Sequence, residues 1–565
     1  MTKSNAVLYA SELDQREHAL DWHLDELAAL CSLHGADDAL LTLGAALGGP
    51  DAQIELFRKR TRVVMAMHQR MPEVKDAAVE QVLSRSCLGV AKMTHLLRLH
   101  GTSLWQEKST LREFDDVQSS NLERLFPGQD EESSRQASLG VAVGGLGCRR
   151  AMDAALPAAL ASLVMARPKL ACVDVDLSAA GLLPQGLLLR HFDEAIERTS
   201  LALQSVLGQP EQAQVSELLE LAAARAGEVW EAALQGRTPE ADISTPMVRW
   251  DPLSEGEEGS PVPYMQNGSA EETLPVPQVK VSINVGHLQK LFCMLVDNTL
   301  LRSHVASLRA QDRNEDMRRL QELRHKSADH AWVTHINPKT GTVMAEHEYI
   351  VAIQHRIGCT LLSDASVCRL CGEVLDTRAC HASCCARADA TRGHYGVVKT
   401  LMAVIQVADP SAATEVPGLA PSEPSARPAD ILINAAVPGR GAALDVVVAS
   451  QEAIGAGADC VATAVRRKLR RYRNILHELD SAGIAFRPMA WSAEGRAHPI
   501  VQRVMAHVAE QVARRQPGAT AQEICKRWRQ EVGTVLASRI ARMIRSCMPA
   551  VKGKAAQIVM GYRPG

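Results

Sequence analysis

Apolar residues recur every three or four positions through most of the first 235 residues, the spacing of helices that bury one stripe. Glu12 to Leu30 sets Leu20, Trp22, Leu24 and Leu27 near one face, and Glu55 to Met71 and Lys75 to His100 continue the pattern. Leu40 to Pro50 (LLTLGAALGGP) breaks it, because an apolar run ending in Gly-Gly-Pro predicts a strand entering a turn. A second helical block is expected from about 150 to 235. Between the blocks, Ser138 to Arg150 (SLGVAVGGLGCRR) is glycine-rich, but no Lys-Ser/Thr follows Gly147 and no G-x-G-x-x-G occurs. Neither phosphate-binding loop is therefore expected. Residues 236–278 turn to Pro, Gly, Ser and acid and read as a disordered linker. Residues 279–362 read as a helical connector. After a Pro/Ser-rich loop at 409–427, apolar runs shorten to strand length at Ile431–Ile433, Leu444–Val448 and Gly483–Trp491. A helix is expected over Ala456–Asp480, before the third of these strands. The order strand, strand, helix, strand fits a compact α/β sandwich.

Composition sharpens this picture. Aromatics are 3% of a chain that is 46% hydrophobic, so the cores are built mostly from Leu, Val and Ala, and the dominance of Ala and Leu favours helix. The formal charge of -3 hides an asymmetry. Residues 236–275 carry eight acids against two basic residues, and 501–565 carry twelve Lys/Arg against three acids. That basic helical end suits a polyanionic partner, and equally a solvated helix face. No run of 18 apolar residues occurs and Met-Thr-Lys-Ser-Asn begins no signal peptide. No membrane span is expected, and a cytoplasmic or nuclear location is. Six of the fourteen cysteines fall between Cys359 and Cys385, which in a reducing compartment points to metal rather than disulfides.

Within that cluster, Cys368 and Cys371 form a C-x2-C pair, His381 follows with nine residues between, and Cys385 with three more. Four such ligands in two close pairs can close a tetrahedron around a structural Zn²⁺, and Gly372 relieves the turn that wraps it. Cys380 and Cys384 compete for the same positions. The alternative is a set of buried free thiols. With so little core of its own, the module (363–390) would draw its folding energy from the metal.

Asp430 stands at the mouth of the first strand and Asp445 lies inside the second, flanked by Leu444 and Val446. A buried carboxylate is costly unless paired or metal-bound. Two that converge across a hairpin suit Mg²⁺, which takes oxygen ligands and keeps waters; ion pairs to Arg427 or Arg440 are the alternative. In the following helix Lys468 and Tyr472 share a face. Lys468 could orient an attacking water. Arg466, Arg467, Arg470, Arg471 and Arg473 would favour a phosphate backbone.

These residues carry a family resemblance. C-x2-C…H-x3-C, then Arg392-Gly393-His394-Tyr395, Arg427-Pro428-Ala429-Asp430, Ala443-Leu444-Asp445-Val446 and Lys468…Tyr472 resemble the tail of non-LTR-type retrotransposon polyproteins. There a zinc knuckle precedes a restriction-like PD-(D/E)xK endonuclease that nicks target DNA for reverse transcription. The resemblance implies Asp430 and Asp445 as metal-binding acids, Lys468 as the catalytic lysine moved onto a helix, and Tyr472 as its companion. It further implies Glu415 as an additional acid, His394 as part of the element joining knuckle to nuclease, and DNA or RNA as partner without a small-molecule cofactor. Residues 368–495 carry the specific signature. Upstream, Leu43 to Gly48 looks like the strand that follows the palm, and Ser138 to Ser162 like the region beyond the thumb, in the same polyproteins. No aromatic-Ala-Asp-Asp motif occurs, and Ala36-Asp37-Asp38 reads as a cap or loop, so no polymerase activity is expected. Pro428-Ala429-Asp430 has one residue more than the usual Pro-Asp pair, and Val447 stands where a lysine is usual. The expected architecture is therefore a mainly α N-terminal region (1–235), a zinc knuckle, an α/β restriction-endonuclease-like domain (391–500) and a basic helical tail (501–565). The expected function is Mg²⁺-dependent DNA nicking; the alternatives are a zinc-containing module that binds nucleic acid without cutting it, and an inactive retroelement remnant.

Overall fold

The computed structural model describes residues 50–182, 184–234, 288–334, 336, 343–385, 387–388, 390–437 and 440–548, with the strands Ser4–Val7, Cys31–His34, Leu40–Thr42, Ala45–Leu47, Ile243–Val248 and Gln278–Ile283. The protein is mostly helical, with a small mixed sheet in its C-terminal half. The helix expected over Glu12–Leu30 lies outside the described residues. Leu40–Thr42 and Ala45–Leu47 pair antiparallel, so the apolar run expected as one strand is two; a run with glycine at its middle can double back. Ile243–Val248 pairs antiparallel with Gln278–Ile283. Part of the segment expected to be disordered is thus strand; the rest of that segment lies outside the described residues.

The chain divides into two compact units whose segments interleave: 1–71, 84–119 and 148–303 in the first, and 72–83, 120–147 and 304–565 in the second. These are not the contiguous divisions expected from composition. Side-chain hydrogen bonds bring the two early segments into the second unit. Glu346 accepts from the Ala77 N–H at 3.0 Å, and the Tyr349 hydroxyl donates to Gln81 at 3.2 Å. Arg356, fully buried, donates to the carbonyls of Val141 (2.9 Å) and Gly145 (3.2 Å). The glycine-rich stretch is therefore an acceptor for a buried cation, whose pKa burial drives down to about 9.

In the first unit, Phe57, Val64, Met93, Leu97, Leu104 and Phe114 form one buried cluster and Leu156, Leu160, Leu203, Leu218 and Phe292 another. Both engage Ala151–Ala179, a helix long and apolar enough to cross a membrane. Its residues from Ala151 to Val164 are largely buried in these clusters. The N-terminus of this helix is held by Asp115, which accepts from the N–H groups of Ala151 (2.5 Å) and Met152 (3.2 Å). Burial outweighs those bonds and pushes the Asp115 carboxyl up to about 7. The folded state then keeps a proton that the unfolded chain releases near 4. That stability is fully present below about pH 4 and is lost as pH rises through about 7. Urea denaturation should show stability falling across this window by up to about 4 kcal/mol from this group, and Asp115→Asn should flatten the fall. An identical pH profile in the variant would refute this assignment.

In the second unit we label α1 (Ala390–Ala408), β1 (Ala413–Thr414), β2 (Ile431–Val437), β3 (Arg440–Ala449), α2 (Cys460–Arg471), β4 (Ile484–Ser492), α3 (Pro499–Arg515) and α4 (Ala521–Cys547). The sheet order is β4-β3-β2-β1, with β2 antiparallel and β4 parallel to β3. The central strand β3 is buried on both faces, as a helix-covered parallel pairing requires. Alternation then sorts its residues. Ala442, Leu444 and Val446 join the core made with α1, α3 and α4, whereas Val447 and Ala449 pack with α2. Asp445 shares that second face.

Two expectations differ from this arrangement. The helix foreseen over Ala456–Asp480 is α2 followed by the separate helix Leu476–Ser481; Asp459 caps α2 by accepting from the Ala462 N–H at 2.9 Å. The basic tail is no appendage. Val501, Val504, Met505 and Val508 of α3 and Trp528, Val532 and Leu536 of α4 share the sheet core with Ile431 and Leu444. Many of its Lys and Arg side chains occupy other faces of these amphipathic helices, which is why composition alone concealed their packing.

Candidate metal centre and acid cluster

A short hairpin, Ser366–Val367 with Val374–Leu375, carries Cys368 and Cys371, and its turn uses Gly372 at φ 83°. The Asp376 carboxylate accepts from the N–H groups of Arg378 (2.7 Å) and Cys380 (2.9 Å) and so starts the Cys380–Cys384 turn that presents His381. The ligand atoms of Cys368, Cys371, His381 and Cys385 all lie within 4.8 Å of one another, a group able to hold a metal ion. Cys368 Sγ is 3.8 Å from Cys385 Sγ, and Cys371 Sγ is 3.1 Å from His381 Nε2. Burial opposes ionisation of Cys368, but the N–H groups of Cys371 and Leu370 and the thiols of Cys371 and Cys547 bring it down to about 6. Cys384 instead points its sulfur at the His381 carbonyl (3.2 Å), which decides between the two adjacent cysteines in favour of Cys385.

Cys547, at the end of α4 and fully buried, adds a fourth thiol beside Cys368 and Cys385. Lying 162 residues beyond Cys385 and outside any C-x2-C spacing, it gave no signal in the sequence. Arg369 fastens the module to the same helix end, donating from its backbone N–H to the Cys547 carbonyl (2.9 Å) and from Nε to the Ser546 carbonyl (3.2 Å). These are carbonyls that a helix C-terminus otherwise leaves unpaired.

The second cluster forms where β2 and β3 meet. The register that pairs Ile431 with Leu444 sets Asp430 opposite Asp445, and opposed residues of an antiparallel pair project to one face. Lys468 Nζ donates to Asp445 Oδ1 at 2.8 Å. Asp445 is 2% exposed, and its Oδ2 is buried without a hydrogen-bond partner. Burial raises its carboxyl to about 6 despite Lys468. Asp430 Oδ2 accepts from the Val446 N–H at 2.6 Å, and Oδ1 lies 3.5 Å from His394 Nε2 of α1. Burial works against the Asp430 charge, but His394, the Val446 N–H and Lys468 hold its carboxyl below the usual range. Two neighbouring carboxylates are thus driven in opposite directions, a pattern frequent at chemical sites.

The other residues singled out from sequence surround this pair in different ways. Tyr472 packs on Phe486 at 5.2 Å and gives its hydroxyl to the Arg427 carbonyl at 3.0 Å. Burial, then the charges of Asp445 and Asp430, raises its pKa. Glu415 donates its N–H to the Asp430 carbonyl (3.2 Å), while its carboxylate faces Arg427 at 3.4 Å. Arg427 and Arg440 pair elsewhere, with Glu415 and Asp480, rather than with the two aspartates. Arg466, Arg467, Arg470, Arg471 and Arg473 are all exposed, and among the described residues none forms an ion pair. Two positioning residues went unread in the sequence. Arg496 binds the α2 cap Asp459 (2.7 Å) and Glu322 (2.6 Å), fixing the helix that carries Lys468. Gly393 lets the Arg539 stem cross α1 beside His394, for a Cβ there would overlap Arg539 Cγ and Cδ. Gly393→Ala should cost about 1–3 kcal/mol by overpacking; a thermal melt unchanged from wild type would contradict that.

No protein-family model matches the chain, and no curated protein matches it.

Proposed function

We propose that the second unit is a retroelement-derived, Mg²⁺-dependent endonuclease module with a zinc-stapled knuckle and a nucleic-acid partner. The observation that carries this reading is the site at Asp445: a buried, unpartnered Oδ2, a carboxylate neighbour in register and a lysine 2.8 Å away. An orphaned acidic oxygen deep in a strand is expensive, and a cation bound beside it would remove that cost. Asp430 and Asp445 would hold the Mg²⁺, which when bound supplies positive charge to the scissile phosphate and its attacking water. Lys468, held by Asp445, positions that water and offsets developing negative charge. His394 fixes the orientation of Asp430. The five exposed arginines offer a salt-sensitive track for the phosphate backbone.

Zinc suits the cysteine cluster by its donors. Tetrahedral Zn–S bonds of about 2.3 Å place two sulfurs roughly 3.8 Å apart, matching Cys368 and Cys385 at 3.8 Å. The donor set closes a four-coordinate site, so the metal's role is structural.

The reading is tested by incubating supercoiled plasmid with the full chain, with Mg²⁺ or with chelator. Wild-type protein should give open circles only with Mg²⁺, and Lys468→Met should slow the conversion by about 100-fold. Nicking that survives chelation, or that Lys468→Met leaves intact, would reject this assignment.

A further inference from the structure

A cavity of about 220 Å³ opens beside the acid pair, between the Cys380–Cys384 turn, the C-terminal half of β3, α2 and α4. Arg467, Lys468 and Arg539 bring charge to a lining that is otherwise largely apolar and that includes Ser383, Ser450 and three thiols, one of them the candidate metal ligand Cys385; among the described residues no carboxylate lines it. The buried Ser383 hydroxyl donates to the Cys380 carbonyl (3.0 Å) and accepts from Ser450 (2.8 Å), whose oxygen in turn accepts from the Glu452 N–H (3.1 Å), so both hydroxyl protons are used within the wall of the cavity. Lys468 links the cavity to Asp445. Arg467 is exposed at the rim, and Arg539, 5% exposed, crosses Gly393. Arg467 and Arg539, with Lys468 shared with Asp445, give the cavity a cationic side suited to an oxyanion, and guanidinium groups match phosphate oxygens in geometry as well as charge. The volume falls short of the roughly 300–1,000 Å³ that encloses a whole small-molecule ligand. A single phosphate with part of its sugar suits it better.

We propose that this cavity is a phosphate subsite for a nucleic-acid strand, holding a phosphodiester adjacent to the one at Asp430 and Asp445. The inference rests on the endonuclease reading for the strand's path, but its test measures binding and not cleavage.

The experiment is fluorescence anisotropy of the metal-loaded full chain with a 5′-labelled 20-nucleotide strand, in Ca²⁺ in place of Mg²⁺. Two variants alter the cavity from positions that are not fully buried: Arg467→Gln removes a rim cation, and Ala453→Met fills space. Arg514→Gln, an exposed position on α3, makes the same charge change elsewhere. Arg467→Gln and Ala453→Met should each weaken binding roughly three- to ten-fold, and Arg467→Gln should lower the salt slope by about one. Arg514→Gln should change affinity less than about two-fold. Equal affinity for wild type, Arg467→Gln and Ala453→Met, with unchanged melting temperatures, would overturn the proposal. So would inorganic phosphate or a mononucleotide binding as tightly as the strand, which would make the cavity a small-anion site. If wild-type protein fails to nick DNA but these binding effects appear, the subsite stands and the nuclease reading falls.

Discussion

Asp445→Ala is expected to remove plasmid nicking, with a loss of at least about 100- to 1,000-fold, or roughly 3–4 kcal/mol of barrier. The variant deletes one of two neighbouring carboxylates and the group that holds Lys468 Nζ at 2.8 Å, so the metal and the lysine lose their anchor together. Asp445→Asn separates the two effects. It keeps an oxygen for the lysine and the shape of the strand, yet lacks the charge a hard cation needs. It should fold within about 1 kcal/mol of wild type and still fail to nick. Nicking by Asp445→Asn or Asp445→Ala at the wild-type rate would show that these acids are not the site. Asp430→Asn provides a second arm, because Asp430 is hydrogen-bonded to the Val446 N–H and faces His394 rather than bonding Lys468 directly.

Cys371→Ser is expected to release about one metal ion per chain and to unfold the Cys368–Cys385 module locally. Structural zinc contributes about 10–16 kcal/mol in small knuckles, far more than a two-strand hairpin of two residues each can replace. Hydrogen exchange should rise across residues 366–385 and at the last turn of α4, whose carbonyls are bonded to Arg369. Cys384→Ser is the control, since its sulfur points at the His381 carbonyl; metal content should stay at the wild-type value. Loss of metal from Cys384→Ser with retention in Cys371→Ser would reverse the ligand assignment.

How much of this was legible beforehand varies residue by residue. The C-x2-C and H-x3-C spacings named the four clustered ligands because a hairpin turn and a single 3₁₀ turn impose short, local separations. The choice between Cys384 and Cys385 depends on which way one turn rolls, and the spacing only suggested it. Asp445 stood out because a carboxylate inside an apolar strand is anomalous whatever surrounds it. Cys547, Arg496 and Arg539 were invisible, since each acts on a partner at least 36 residues away in sequence.

The sequence alone determined the local matters: helical periodicity, strand-length runs, metal-ligand spacing and the two suspicious acids. These rest on interactions between residues a few positions apart, which pattern records directly. Only the tertiary structure decided that 72–83 and 120–147 join the C-terminal unit, and that the basic end supplies core rather than tail. It alone brought Lys468, Asp445 and Asp430 together. Such choices depend on which apolar faces bury one another and which buried charges find partners, and those free energies are shared among distant segments.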